Sequence, residues 1–203
     1  MHKLTKTAKG LDTFFKVVQI LFTVLTVVAF VLVGLLGICR LVVDDPEFFT
    51  STVETLDIGF LELELAGDHT PNQGVLLLEA CVILVLCGIC CLLGRIEVKY
   101  IRAILDPMKQ GQPFSASASI NLKKMAILSI IIGILINCVD LVDQIFMATT
   151  YGLPDLLINQ KITAVNYHFS FDLTFLLYSA VLLLLSYVFS YGTQLQELSD
   201  ETL

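Results

Sequence analysis

The chain has 203 residues, of which 56% are hydrophobic and only 15% charged. A soluble domain of that length would lack the polar surface needed to stay dissolved. Twelve lysines and arginines against 19 aspartates and glutamates give a net charge of −7, and no broad basic face carries interleaved aromatics, which argues against direct nucleic-acid binding.

The first segment carries Lys3, Lys6, Lys9 and Lys16 around the start of an apolar stretch over about 14–43. A basic start before an apolar run imitates a secretory signal. The run is far longer than a signal's apolar region, and no small-x-small cleavage site follows it. Leu36-Gly37-Ile38-Cys39 resembles a lipoprotein processing site, but Ile38 is too bulky for that position. The segment therefore reads as a retained helix, closed by Arg40. A loop over about 44–74 follows, with Asp44, Asp45, Glu47, Glu54, Asp57, Glu62, Glu64 and Asp68 and no lysine or arginine. Within it, Phe60-Leu61-Glu62-Leu63-Glu64-Leu65 alternates apolar and acidic residues, the period of a half-buried strand.

The second apolar stretch, about 75–94, contains Glu79 and four cysteines: Cys81, Cys87, Cys90 and Cys91. A connecting segment, 95–124, holds Arg95, Lys99, Arg102, Lys109, Lys123 and Lys124. The third stretch, about 125–147, has Asn137, Cys138, Asp140, Asp143 and Gln144 in its last turns. A loop over 148–170 carries one basic residue, Lys161, and runs into a second alternating segment, Val165–Phe171, where His168 falls on the polar side and reads as solvated. The fourth stretch, about 171–191, opens on Asp172, and an acidic tail over 192–203 closes the chain.

Each stretch supplies the roughly 20 apolar residues that cross a hydrocarbon core about 30 Å thick. Basic loops stay on the cytoplasmic side, which puts both termini and 95–124 inside and both acidic loops outside. The expected fold is an all-α polytopic membrane protein of the plasma membrane: a single domain, 1–203, with four transmembrane helices in a bundle. The two alternating segments are expected to pair as a small extracellular β-strand pair, with irregular loops as the alternative.

Ionisable residues at membrane depth are candidates for function. Arg40, Glu79, Asp140, Asp143 and Asp172 all fall toward the outer face and form a candidate polar cluster, with Arg40–Glu79 the pair to test first. Asp140 and Asp143 are three apart, which places them on one helix face. The plainer alternative is that these groups reach interfacial water or cap helix ends. Cys87-Gly88-Ile89-Cys90 is formally a C-x-x-C, but it lies about 18 Å into the second helix, where a thiol in hydrocarbon has little thiolate. Small residues there suit close helix packing better. No zinc spacing, triad or nucleotide loop is present, so no catalytic, cofactor or metal residues are expected and the chain does not read as an enzyme.

Ile101, Ile104, Leu105 and Met108 recur at one-face helical spacing, so the second helix is expected to run on as an amphipathic arm. Gln110-Gly111-Gln112-Pro113 stops it, and Ser115 or Ser117 caps the next helix. The block Gly111-x-Pro113-Phe114 followed by Asn121, together with Phe189-x-x-Gly192-x-x-Leu195-Gln196 near the end, resembles a bacterial four-helix membrane family, domain of unknown function 2975. Lys123 and Lys124 match the basic residue that this family carries after the asparagine. The resemblance runs from the first span to the last residue. It implies a compact four-helix protein with an extracytoplasmic strand pair, often encoded beside a Cro-type helix-turn-helix regulator. It transfers no catalytic residues.

The reading that follows is a regulatory or sensory membrane protein. Its cytoplasmic hairpin, with Arg102, Gly111, Pro113, Phe114 and Asn121, would dock a soluble partner such as a small transcriptional regulator. A plain turn, with Phe114 anchoring the loop against the membrane, is the simpler account of those residues. The alternative function is a small transporter or an immunity-type protein against antimicrobial peptides. The bilayer is the one certain partner on this reading, and the oligomeric state is left open.

Overall fold

The computed structural model describes residues 2–42, 53–58, 61–69, 73–110, 114–150, 162–167 and 172–201. In chain order these form α1 (His2–Val42), β1 (Val53–Ile58), β2 (Leu61–His69), α2 (Gln73–Lys109), α3 (Ala116–Thr150), β3 (Ile162–Tyr167) and α4 (Thr174–Glu201). All four helices are long and apolar enough to cross a membrane, over Thr5–Leu41, Gly74–Lys109, Ala116–Phe146 and Thr174–Leu198. At 1.5 Å per residue the first two reach about 55 Å, well beyond the hydrocarbon thickness, so parts of them project past it.

Two compact units share these helices. The first comprises Met1–Thr26, Ile89–Ile134 and Leu173–Leu203; the second comprises Val27–Gly88 and Leu135–Asp172.

In the first unit the α2 arm forms as its spacing predicts. Ile104 joins Ala118, Leu122, Met125, Ala126 and Leu182 in the buried core, with Ile101 and Met108 packed against it. The arm ends where the Gly-Pro block begins: Lys109 is the last helical residue, and the N–H of Gln110 donates to the Pro107 carbonyl at 3.0 Å. Ser115 is the N-cap of α3, its hydroxyl accepting from the Ala118 N–H at 3.3 Å. That bond satisfies one of the free N–H groups that every helix start exposes.

Helices α3 and α4 run antiparallel along a seam of small residues. Ser119, Ala126 and Gly133 are spaced by seven on α3, as are Ser179 and Ser186 on α4. The hydroxyl of Ser119 donates to the Ser186 carbonyl and that of Ser186 to the Ser119 carbonyl, each at 2.9 Å. One heptad along, Ser179 donates to the Ala126 carbonyl at 2.7 Å. Farther along the seam, the Phe175 side chain fills the space where a side chain on Gly133 would stand. Small residues let helix backbones approach this closely, and hydroxyls satisfied by backbone carbonyls can be buried without an unpaired polar atom. This register sets residues 114–133 beside 175–192, so Lys123 and Lys124 lie level with the middle of the fourth apolar stretch.

In the second unit, α1 packs on α2 where the Phe30 ring and Ala29 meet Gly88. The sheet of this unit has strand order β1-β2-β3, all antiparallel. Its register pairs apolar with apolar positions, as in Leu56↔Leu63, Ile58↔Leu61, Leu61↔Tyr167 and Leu63↔Val165. The acidic positions pair away from these, as in Asp57↔Glu62 and Glu62↔Asn166. Thus β2 and β3 overlap the two alternating segments of the sequence, and β1 adds a strand that alternation alone did not mark. His168 lies outside the described residues.

Candidate functional site

Two groups of polar side chains carry the candidate residues, one in each unit.

The first unit holds an ionic clasp between the start of α1 and the α2 arm. Asp12 sits one turn before the apolar core of α1 and accepts from Arg102 Nε and from Lys109 Nζ, each at 2.9 Å. Arg102 also donates through Nη1 to Gln19 Oε1 at 2.8 Å, and Lys109 reaches Asp106 at 2.6 Å. The Arg102 guanidinium and then the Lys109 ammonium hold the Asp12 carboxyl below the usual aspartate range. The Asp106 and Asp12 carboxylates in turn raise Lys109. Arg102, a candidate docking residue, is therefore committed to a bond within the chain.

The hairpin is anchored on its other side as well. The Phe114 ring stacks at 5.7 Å from that of Phe189 and lies over Gly192, where an added Cβ would come within 2.6 Å of it. The two sequence blocks that carried the family resemblance thus meet in space. Phe114 anchors the loop to α4 while remaining partly exposed. Asn121 is partly buried on α3. Gly111 and Pro113 lie outside the described residues.

The second unit gathers part of the candidate outer cluster. Glu79 is buried on α2 and accepts from the Thr150 hydroxyl of α3 at 3.2 Å. Asp143, also on α3, stands within hydrogen-bonding reach of Glu79. Asp140 shares the helix with Asp143 but is exposed, so only one of the two joins Glu79. Arg40 lies over Gly74, with its guanidinium nitrogens 3.2 Å from where a Cβ would be. The described ion pairs are Asp12–Arg102, Asp12–Lys109 and Asp106–Lys109; Arg40 and Glu79 do not form one. Asp172 is held through its backbone: its N–H donates to Asn137 Oδ1 at 3.2 Å, and its carbonyl accepts from Asn137 Nδ2 at 3.0 Å. Asn137 therefore fixes the chain two residues before α4 begins.

Sequence reasoning missed Asp12, Gln19 and the serine seam. The seven-residue spacing of Ser119, Ala126 and Gly133, matched by Ser179 and Ser186, was the available signal. Asp12 gave none, because its partners lie about 90 residues away. Among the described residues the six cysteines are free thiols, and no group of three or more His, Cys, Asp or Glu side chains is placed to hold a metal.

Four helices long and apolar enough to cross a membrane define the class: a multi-pass membrane protein. No protein-family model matches the chain, and neither the curated proteins nor the solved structures include one with significant similarity to it.

Proposed function

We propose that this chain is a regulatory or sensory protein of the bacterial plasma membrane, not an enzyme. On this reading both termini are cytoplasmic, the sheet lies outside, and the α2–α3 hairpin is offered to a soluble partner such as a helix-turn-helix regulator. The observation that carries it is the double anchoring of the hairpin, by Asp12 to Arg102 and Lys109 and by Phe114 to Phe189 and Gly192. A segment fixed on two sides presents a preorganised surface, which lowers the ordering cost of docking. Because α4's apolar stretch runs beside 114–133, the water-accessible part of that surface is its tip, with exposed Asp106, Gln110, Ala116 and Ser117 and the polar last turns of α4.

The segregation of Lys and Arg into the N-terminal and 95–124 segments supports the orientation. A photo-crosslinker at Ser117, installed in cells, tests the reading. Recovery of a small DNA-binding regulator sustains it; crosslinks to lipid alone, with reporter fusions showing the termini outside, overturn it.

A second reading, a small transporter or immunity-type protein, is favoured by one observation: Glu79 and Asp143 meet in the second unit. If that pair carries transport or peptide interception, Glu79→Gln abolishes protection against cationic peptides in a susceptibility assay. Unchanged susceptibility with intact fold removes this reading.

A further inference from the structure

The cations of α2 and α3 in the first unit divide into two kinds. Arg102 and Lys109 are paired with carboxylates, whereas no ion pair among the described residues joins Arg95, Lys99, Lys123 or Lys124 to an anion. Glu97, also on α2, accepts the Ser129 hydroxyl at 2.8 Å. Helices α2 and α3 lie side by side here, since Lys124 Nζ stands 5.8 Å over the Tyr100 ring, next to Lys99.

Each of the two lysines ends an exposed apolar stripe. On α2, Ile89, Leu92 and Ile96 lead to Lys99 at steps of three, four and three; on α3, Ile134, Ile131 and Ile127 lead to Lys124 at the same kind of spacing. The helices are antiparallel, so both stripes finish at one level, near the Tyr100–Lys124 contact. The α3–α4 register sets that level beside α4, where Tyr178, Val181, Leu184 and Leu185 are exposed. Lysines that border apolar surface on a membrane protein attract anionic lipid headgroups at the interface.

We propose that the α2–α3 face is a binding site for one anionic phospholipid. Its phosphate is held by Lys99 and Lys124, with Arg95 and Lys123 flanking, and its acyl chains lie along the two isoleucine-rich stripes. A soluble anion would match the lysines alone; a phospholipid matches the lysines and the adjoining apolar stripes. Charge complementarity and this amphipathic layout select the bilayer's own anionic lipid as the occupant. The inference rests on the membrane class of the protein and not on the regulatory reading, so either can fail without the other.

The test uses the full chain in nanodiscs of mixed phosphatidylglycerol and phosphatidylcholine, followed by native mass spectrometry of retained lipid. The wild type is expected to retain phosphatidylglycerol in preference to phosphatidylcholine. Lysines near an anionic surface each contribute roughly a fivefold preference, so Lys99→Gln with Lys124→Gln should lower the enrichment by about tenfold or more. Lys99→Arg with Lys124→Arg should keep it, which guards against a glutamine variant that fails to fold. Lys6→Gln with Lys9→Gln removes the same charge elsewhere and should leave it within about twofold. The proposal is overturned if the wild type shows no preference, if the glutamine pair at 99 and 124 matches it, or if the 6 and 9 pair loses as much. Displacement of the lipid by millimolar inorganic phosphate would likewise overturn the assignment to phospholipid.

Discussion

Two helix seams in the first unit solve the same problem with opposite chemistry. Between α3 and α4 the groups are neutral: serine hydroxyls exchange bonds with backbone carbonyls across Ser119 and Ser186, and Phe175 fills the space beside Gly133. Between α1 and α2 the Phe22 ring lies against Gly94, and the polar contacts beyond it are charged, gathered on Asp12. The difference follows burial: Ser119, Ser179 and Ser186 are buried, whereas Asp12 keeps access to solvent. A hydroxyl satisfied by a helix carbonyl tolerates apolar surroundings, whereas ion pairs are affordable only near water, where desolvation is partial. The neutral seam can therefore run through the apolar core, and the charged clasp sits past the apolar stretch of α1, where its Asp12 side chain retains about a fifth of its exposure.

The sharpest way to break this contrast is steric. Gly133→Ala places a methyl group into Phe175, whose own Cβ is part of the collision and cannot simply rotate away. A loss of about 3 kcal/mol is expected, the upper range for overpacking, read as a lower midpoint of unfolding in detergent. Gly192→Ala meets the ring of Phe114, a flexible side chain that can shift at the expense of part of its contact with Phe189, so about 1 kcal/mol is expected. If the two substitutions cost the same, the seam is looser than described.

Ser186→Val removes one hydroxyl of the reciprocal pair and leaves the Ser119 hydroxyl its bond to the Ser186 carbonyl. The expected loss is about 1 kcal/mol, in the range of hydroxyl bonds between membrane helices, and it should be insensitive to salt. Asp12→Asn breaks the clasp instead. Its cost should be about 0.5–1 kcal/mol because the pair is partly solvated, and it should shrink as salt rises. Equal salt dependence for the two variants would erase the distinction between the seams.

Acid gives the smallest but most selective effect. Arg102 and Lys109 lower Asp12 below its ordinary value of 3.8. A depressed carboxyl contributes stability that is fully present above its unfolded value and is lost as pH falls through the folded one. Hydrogen exchange in the first turns of α1 should therefore accelerate only below about pH 3.8. The Asp12→Asn protein should show no such step.

Much of the architecture was legible in the chain. The apolar stretches mark the four helices, because no shorter pattern can satisfy backbone groups in lipid. The spacing of Ile101, Ile104, Leu105 and Met108 marks the arm, and Gln110 through Pro113 mark its end. Ser115 could be read as a cap because capping is local chemistry within four residues. The alternation in 60–65 follows β2 for the same reason, whereas β1, with Val53-Glu54-Thr55-Leu56, carries a weaker alternation and a register shift. The site was less legible. Glu79 and Asp143 were both candidates, but which of Asp140 and Asp143 turns toward Glu79 depends on the rotation of α3, and Arg40 lies at Gly74 instead of reaching Glu79.

The sequence by itself determined the class of this protein, since length of apolar run and local caps are properties of neighbouring residues. Tertiary structure alone decided the partners: Asp12 with Arg102, Phe114 with Gly192, and Ser119 with Ser186. These pairs are set by helix register, which depends on how small residues let backbones approach across the seam, and no local pattern encodes that distance. The same register brought the lysines of α2 and α3 to one level beside the apolar middle of α4, and so turned scattered charges into a candidate lipid site.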